Sequence, residues 1–101
     1  MTNKEFYNLY LQAKKETDKE IFVADVKIPE SNKIWDLAHL DARELVELTG
    51  LAQKEFGEKY FLKLNTIWSW VSNCPGRKRN IPDVVKLLIL KDMGVLDDIL
   101  N

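Results

Sequence analysis

Helix-start and helix-stop signals recur so closely along this chain that no element can run far before it is interrupted. Thr2 is followed by Glu5, and Asp41 by Glu44. In such a pair the first side chain accepts a hydrogen bond from the backbone three residues on, while the acid reaches back to the cap's own N–H. Pro29, Gly50, the Pro75-Gly76 pair and Pro82 punctuate the remainder. Between these marks apolar residues recur at helical spacing, as in Phe6, Leu9, Tyr10 and Ala13. Ile34, Leu37 and Ala38 repeat the pattern, and so do Ala42, Leu45, Val46 and Leu48. The expected fold is mainly α, a compact multi-helix bundle with an N-terminal helix running to about Glu16. Residues 21–28 are β-branched and partly alternating, with Phe22, Ala24, Val26 and Ile28 on one side, which predicts a short strand or extended arm. Ser31 or Asn32 is expected to cap the short helix that follows. Residues 1–40 are expected to pack on a core formed by residues 41–101, whose end is a helical tail.

Composition removes several classes of function. Fifteen Lys+Arg against sixteen Asp+Glu give a net charge of −1, which excludes a globally basic nucleic-acid binder. The charge is nevertheless segregated: residues 41–91 hold nine basic residues against six acidic, with Arg77, Lys78 and Arg79 as the densest cluster. One Cys permits no intrachain disulfide, and one Cys with one His cannot furnish a four-ligand zinc site, so neither a metal nor a cofactor is expected. His39 has no Cys, Ser or acid at triad-like spacing, and neither a Gly-rich phosphate loop nor a paired-carboxylate site is present. An enzyme is not expected, and no small-molecule substrate is evident. Cys74, beside Pro75, reads as a structural thiol with a redox switch as the alternative. The longest apolar run after the charged N-terminal stretch, Leu87 to Leu90, is too short to span a bilayer, so the expected location is cytoplasmic with no membrane partner.

Residues 52–60 and 63–73, joined by a short turn, have the arrangement of a helix-turn-helix. The first helix turns Ala52, Phe56 and Tyr60 inward and leaves Lys54, Glu55, Glu58 and Lys59 wet. Gly57 stands where the helices cross closely and only Gly or Ala fits. Leu62 plugs the turn, and Ile67 and Trp70 lock the second helix down. Residues 51–70, reading LAQKEFGEKYFLKLNTIWSW, resemble the phage-repressor/Cro-type helix-turn-helix family. They are most similar to small bacterial regulators with an LTGLSQxxFAxxYGIPxRTxxxW-like motif. Leu48-Thr49-Gly50-Leu51, Gln53, Phe56, Tyr60, Thr66 and Trp70 match it, and Arg79-Asn80-Ile81-Pro82 resembles that group's downstream Arg-Pro-Pro stretch. Phe61 stands where the family carries a left-handed Gly, Ala52 where it carries a capping Ser or Thr, and the loop near residues 72–76 is longer than the family's.

The resemblance implies a sequence-specific transcriptional regulator that binds double-stranded DNA with its second helix in the major groove. On that helix Leu64, Ile67, Trp68, Trp70 and Val71 form an apolar arc. Asn65, Thr66, Ser69, Ser72 and Asn73 form an uncharged polar arc, the expected base-reading face, or else a plain solvated one. Gln53 matches the position at which relatives bond a phosphate. Lys63, Arg77, Lys78 and Arg79 supply positive charge at the groove rim. Trp35 and Trp70 read as core anchors, whereas Trp68 is either core or an exposed contact. A homodimer is the candidate assembly, paired through Phe6, Leu9 and Tyr10 or through Met93, Leu96, Ile99 and Leu100, unless these cover the monomer's own core. The other open reading is a helix-turn-helix retained as a protein-interaction module without DNA binding.

Overall fold

The computed structural model describes residues 1–74, 76 and 78–100; Pro75, Arg77 and Asn101 lie outside the described residues. Among the described residues there are eight helices and no strand. In chain order these are α1 (Asn3–Lys15), α2 (Lys19–Val26), α3 (Ser31–Ala38), α4 (Ala42–Thr49), α5 (Gln53–Tyr60), α6 (Leu64–Val71), α7 (Asp83–Asp92) and α8 (Asp97–Leu100). None is long and apolar enough to cross a membrane. The chain divides into two compact units. One comprises residues 1–40 with the tail from Leu96 onward, and the other residues 41–95. The tail thus belongs with the N-terminal helices, not with the domain to which the sequence assigns it.

In the first unit α1 begins as its spacing predicts. Thr2 Oγ1 accepts from the Glu5 N–H at 3.1 Å, and Glu5 Oε1 accepts from the Thr2 N–H at 3.0 Å. The bond from the Thr2 N–H first, and then the Thr2 hydroxyl, hold the Glu5 carboxyl below its ordinary value. Residues 21–28 are not an extended arm, because α2 covers most of them. Asp18 Oδ1 accepts from the N–H groups of Glu20 at 2.9 Å and Ile21 at 3.4 Å, satisfying two donors that a helix start leaves open. Lys27 ends the helix in the left-handed region at φ 53°. Of the alternating set only Phe22 is fully buried, so a cap with two bonds outweighs a weak period-2 pattern. Neither Ser31 nor Asn32 caps α3. Glu30 holds that position without a side-chain bond, and Ser31 is already helical and buried.

His39 and Trp35 close the far end of α1. His39 Nε2 lies 2.8 Å from the Ala13 carbonyl and 3.0 Å from that of Glu16. Carbonyls only accept, so this nitrogen carries the ring proton. Trp35 Nε1 donates to the Glu16 carbonyl at 3.0 Å, and the two rings stack with centroids 4.0 Å apart. Phe6, Tyr10, Leu96 and Ile99 are all buried, which takes most of the expected pairing surface out of reach of a second copy.

In the second unit Asp41 and Glu44 cap α4 reciprocally, at 2.8 and 3.2 Å, and Gly50 ends it at φ 73°. Ala52 cannot cap α5, and only the reciprocal half of the box exists: Glu55 Oε1 accepts from the Ala52 N–H at 3.2 Å. Of the expected inward stripe Phe56 is fully buried, Tyr60 is half-buried and Ala52 is exposed. The Tyr60 hydroxyl donates to Asp92 Oδ2 on α7 at 2.9 Å; partial burial first, then this bond, pushes the phenol above its ordinary value.

Phe61 ends α5 in the left-handed conformation, φ 57° and ψ 40°, with its side chain 96% exposed. The turn keeps the geometry a Gly would give it. A Cβ in this region costs roughly 1 kcal/mol or more, and the ring recovers almost nothing by burial. Phe61→Gly is therefore expected to leave stability unchanged or raise it by up to about 1 kcal/mol, since Gly adopts this conformation freely. A thermal melt checks it; a midpoint several degrees lower would mean that the ring contributes packing.

Candidate nucleic-acid interface

Every side chain of α6, LNTIWSWV, is uncharged. Ile67, Trp70 and Val71 face inward and are buried, as their spacing predicts. Leu64 and Trp68, which the sequence places in the same apolar arc, are 38% and 52% exposed. They stand beside Asn65, which is also exposed, and next to the half-buried Thr66 and Ser69. The helix stops at Val71. Ser72 is its C-cap in an extended conformation, so Ser72 and Asn73 are not on the helical face the sequence assigned to them.

What ends α6 is its surroundings. A helix leaves its last four carbonyls without intrahelical donors. Here the Ser72 N–H donates to the Trp68 carbonyl at 2.9 Å and the Arg79 N–H to the Ser69 carbonyl at 2.7 Å. Lys78 Nζ donates to the Trp70 carbonyl at 3.2 Å, and Arg43 Nη2 to the Val71 carbonyl at 2.8 Å. Two cations therefore sit at the negative end of the helix dipole, where they stabilise it. Arg43 comes from α4 and was not among the residues the sequence pointed to. Lys78, expected on a phosphate, also serves as a helix cap.

These side chains enclose an open groove of about 770 Å³. It is lined by Asn65, Thr66, Trp68, Ser69 and Val71 of α6, by its C-cap Ser72, and by Arg43, Gly76, Lys78 and Arg79 from elsewhere in the chain. Among the described residues no carboxylate lines it. Four of the five expected base-contact residues are brought together there; Asn73 is not among the lining residues. Ser69 Oγ donates to the Thr66 carbonyl at 2.7 Å, and Ser72 Oγ accepts from the Cys74 N–H at 3.0 Å. Both hydroxyls keep hydrogen-bonding capacity for a ligand. The expected phosphate contacts are split. Lys78 and Arg79 lie in this groove and Arg77 lies outside the described residues. Gln53, the first residue of α5, and Lys63 line a separate depression of about 430 Å³ at the α5–α6 turn, with Phe61, Leu64 and Glu58.

Among the described residues no group of three or more His, Cys, Asp or Glu could hold a metal ion, and Cys74 is an exposed free thiol. The groove offers uncharged hydrogen-bonding groups, an exposed indole and positive charge at its rim. No protein-family model matches the chain, nor does any curated protein or solved structure.

Proposed function

We propose that the chain is a sequence-specific DNA-binding transcriptional regulator of bacterial or phage type, with α6 entering the major groove. The observation that carries this reading is the groove along α6, lined by no carboxylate among the described residues but by Arg43, Lys78 and Arg79, in a chain of net charge −1. Phosphate would be repelled by acids at this place and is attracted by these cations. The short turn between α5 and α6, its left-handed residue at Phe61 and the close approach at Gly57 fit the repressor-type resemblance. Selection from a pool of random duplexes at low and moderate salt tests the class, since one enriched motif marks sequence-specific binding and no enrichment refutes it.

Within this reading Arg79 makes a phosphate contact. Arg79→Ala is expected to weaken binding to all duplexes alike and to reduce the log–log salt slope by about one. Its backbone N–H still bonds the Ser69 carbonyl, so the helix end survives the substitution. An unchanged slope would take Arg79 out of the interface. The same test on Lys78 is less clean, because that side chain also caps α6.

The second reading, a protein-interaction module, is favoured by a different observation. Phe61 is 96% exposed in a strained conformation, and the exposed Leu64 lines the same depression. Apolar surface of this kind marks docking sites as well as nucleic-acid contacts.

A further inference from the structure

We infer that α6 reads A·T base pairs, with Trp68 and Leu64 seated on thymine 5-methyl groups and Asn65 paired to a neighbouring adenine. This rests on the DNA-binding reading and specifies what the same site recognises. Leu64 and Trp68 are one helical turn apart, so their side chains stand on one side of α6. At about 100° per residue the direction of Trp68 falls between those of Leu64 and Asn65. All three are exposed, so the outward face is an apolar pair beside an amide. Trp68 and Asn65 line the groove that Arg43, Lys78 and Arg79 rim, which fits a polyanion rather than an acid-free apolar partner.

The chemistry of base edges narrows the choice. Thymine is the one standard base that presents a methyl group in the major groove, and adenine the one that matches an Asn amide in both donor and acceptor. Guanine is read best by Arg or Lys, and the cytosine amino group by Asp or Glu. Residues Leu64–Val71 contain none of these four. The helix therefore carries the side chains best suited to A·T pairs and lacks those best suited to G·C pairs, while the Thr66 and Ser69 hydroxyls can bond to either.

Selection from random duplexes with the full chain, followed by replacement of single thymines by deoxyuridine in the enriched site, tests this. Deoxyuridine removes the methyl and leaves base pairing intact. The expected result is an A·T-rich core and, at one or two thymines, about a fourfold loss of affinity, the equilibrium equivalent of one buried methyl. Trp68→Ala should bind thymine and deoxyuridine equally at the position Trp68 contacts, any discrimination at a second thymine being left to Leu64, and a thermal melt verifies that it folds. Should that variant not fold, the deoxyuridine comparison alone decides, because it alters only the DNA. A G·C core, or equal binding of thymine and deoxyuridine by the unmodified chain, overturns the inference while leaving DNA binding intact. No enrichment at all overturns both and points the exposed face toward a protein.

Discussion

Gly57→Ala is expected to destabilise the unit formed by residues 41–95 by about 2 kcal/mol, although helix propensity by itself predicts a gain of roughly 1 kcal/mol. A Cβ built on Gly57 would lie 2.7 Å from the Leu62 carbonyl oxygen and 3.0 Å from Ile67 Cδ1. The first of these is backbone and cannot turn aside. It is also held in place, because the Leu62 N–H donates to the Gly57 carbonyl at 2.8 Å. Relief requires α5 and α6 to separate, and Ile67, on the far side of the contact, is fully buried. The sequence admits Gly or Ala at this crossing; the distances admit Gly. Urea unfolding of the full chain measures the effect. A loss below about 0.5 kcal/mol would show that the turn moves away at little cost.

Asn65→Ala is expected to cost on the order of 1–3 kcal/mol on the preferred duplex and little on random DNA, because a bidentate amide–base contact is lost only where the right base is present. Asn65 is exposed, is the second residue of α6 and lines the groove, so the substitution should leave the fold intact. Titrations against the selected site and a scrambled one give both numbers. Equal losses on the two would remove Asn65 from base reading and assign it to general affinity.

The elements legible in the sequence are those decided within a few residues. Thr2 with Glu5 and Asp41 with Glu44 form their caps locally, and Gly50 ends α4 by its own backbone freedom. The left-handed turn at Phe61 was legible through the family resemblance, since Phe by itself argues against that conformation. Residues 21–28 misled because β-branched side chains alternate there; the deciding signal was Asp18, three residues before that segment, and it resembles any other acid in a charged run. The site was half legible. Asn65, Thr66 and Ser69 follow from helical spacing. Ser72 and Asn73 fall off the helix because its end is fixed by bonds from residues 43, 78 and 79, which no local pattern around Val71 reveals. Arg43 is an ordinary exposed residue on α4 until the fold brings it to the Val71 carbonyl.

The closure of α6 by groups from elsewhere has a kinetic consequence. An eight-residue helix is too short to persist alone in water. Its last turn depends on Arg43, which is 28 residues away along the chain, and on Lys78 and Arg79 beyond the following loop. Loop-closure entropy is spent before those bonds form. The final turn of α6 is then a late event in folding. Substitution of Arg43 should accelerate unfolding and leave the refolding rate nearly unchanged, a φ-value near zero at the end of the helix. A fragment ending at Val71 would carry most of the groove's uncharged residues on a helix that has not yet acquired its end.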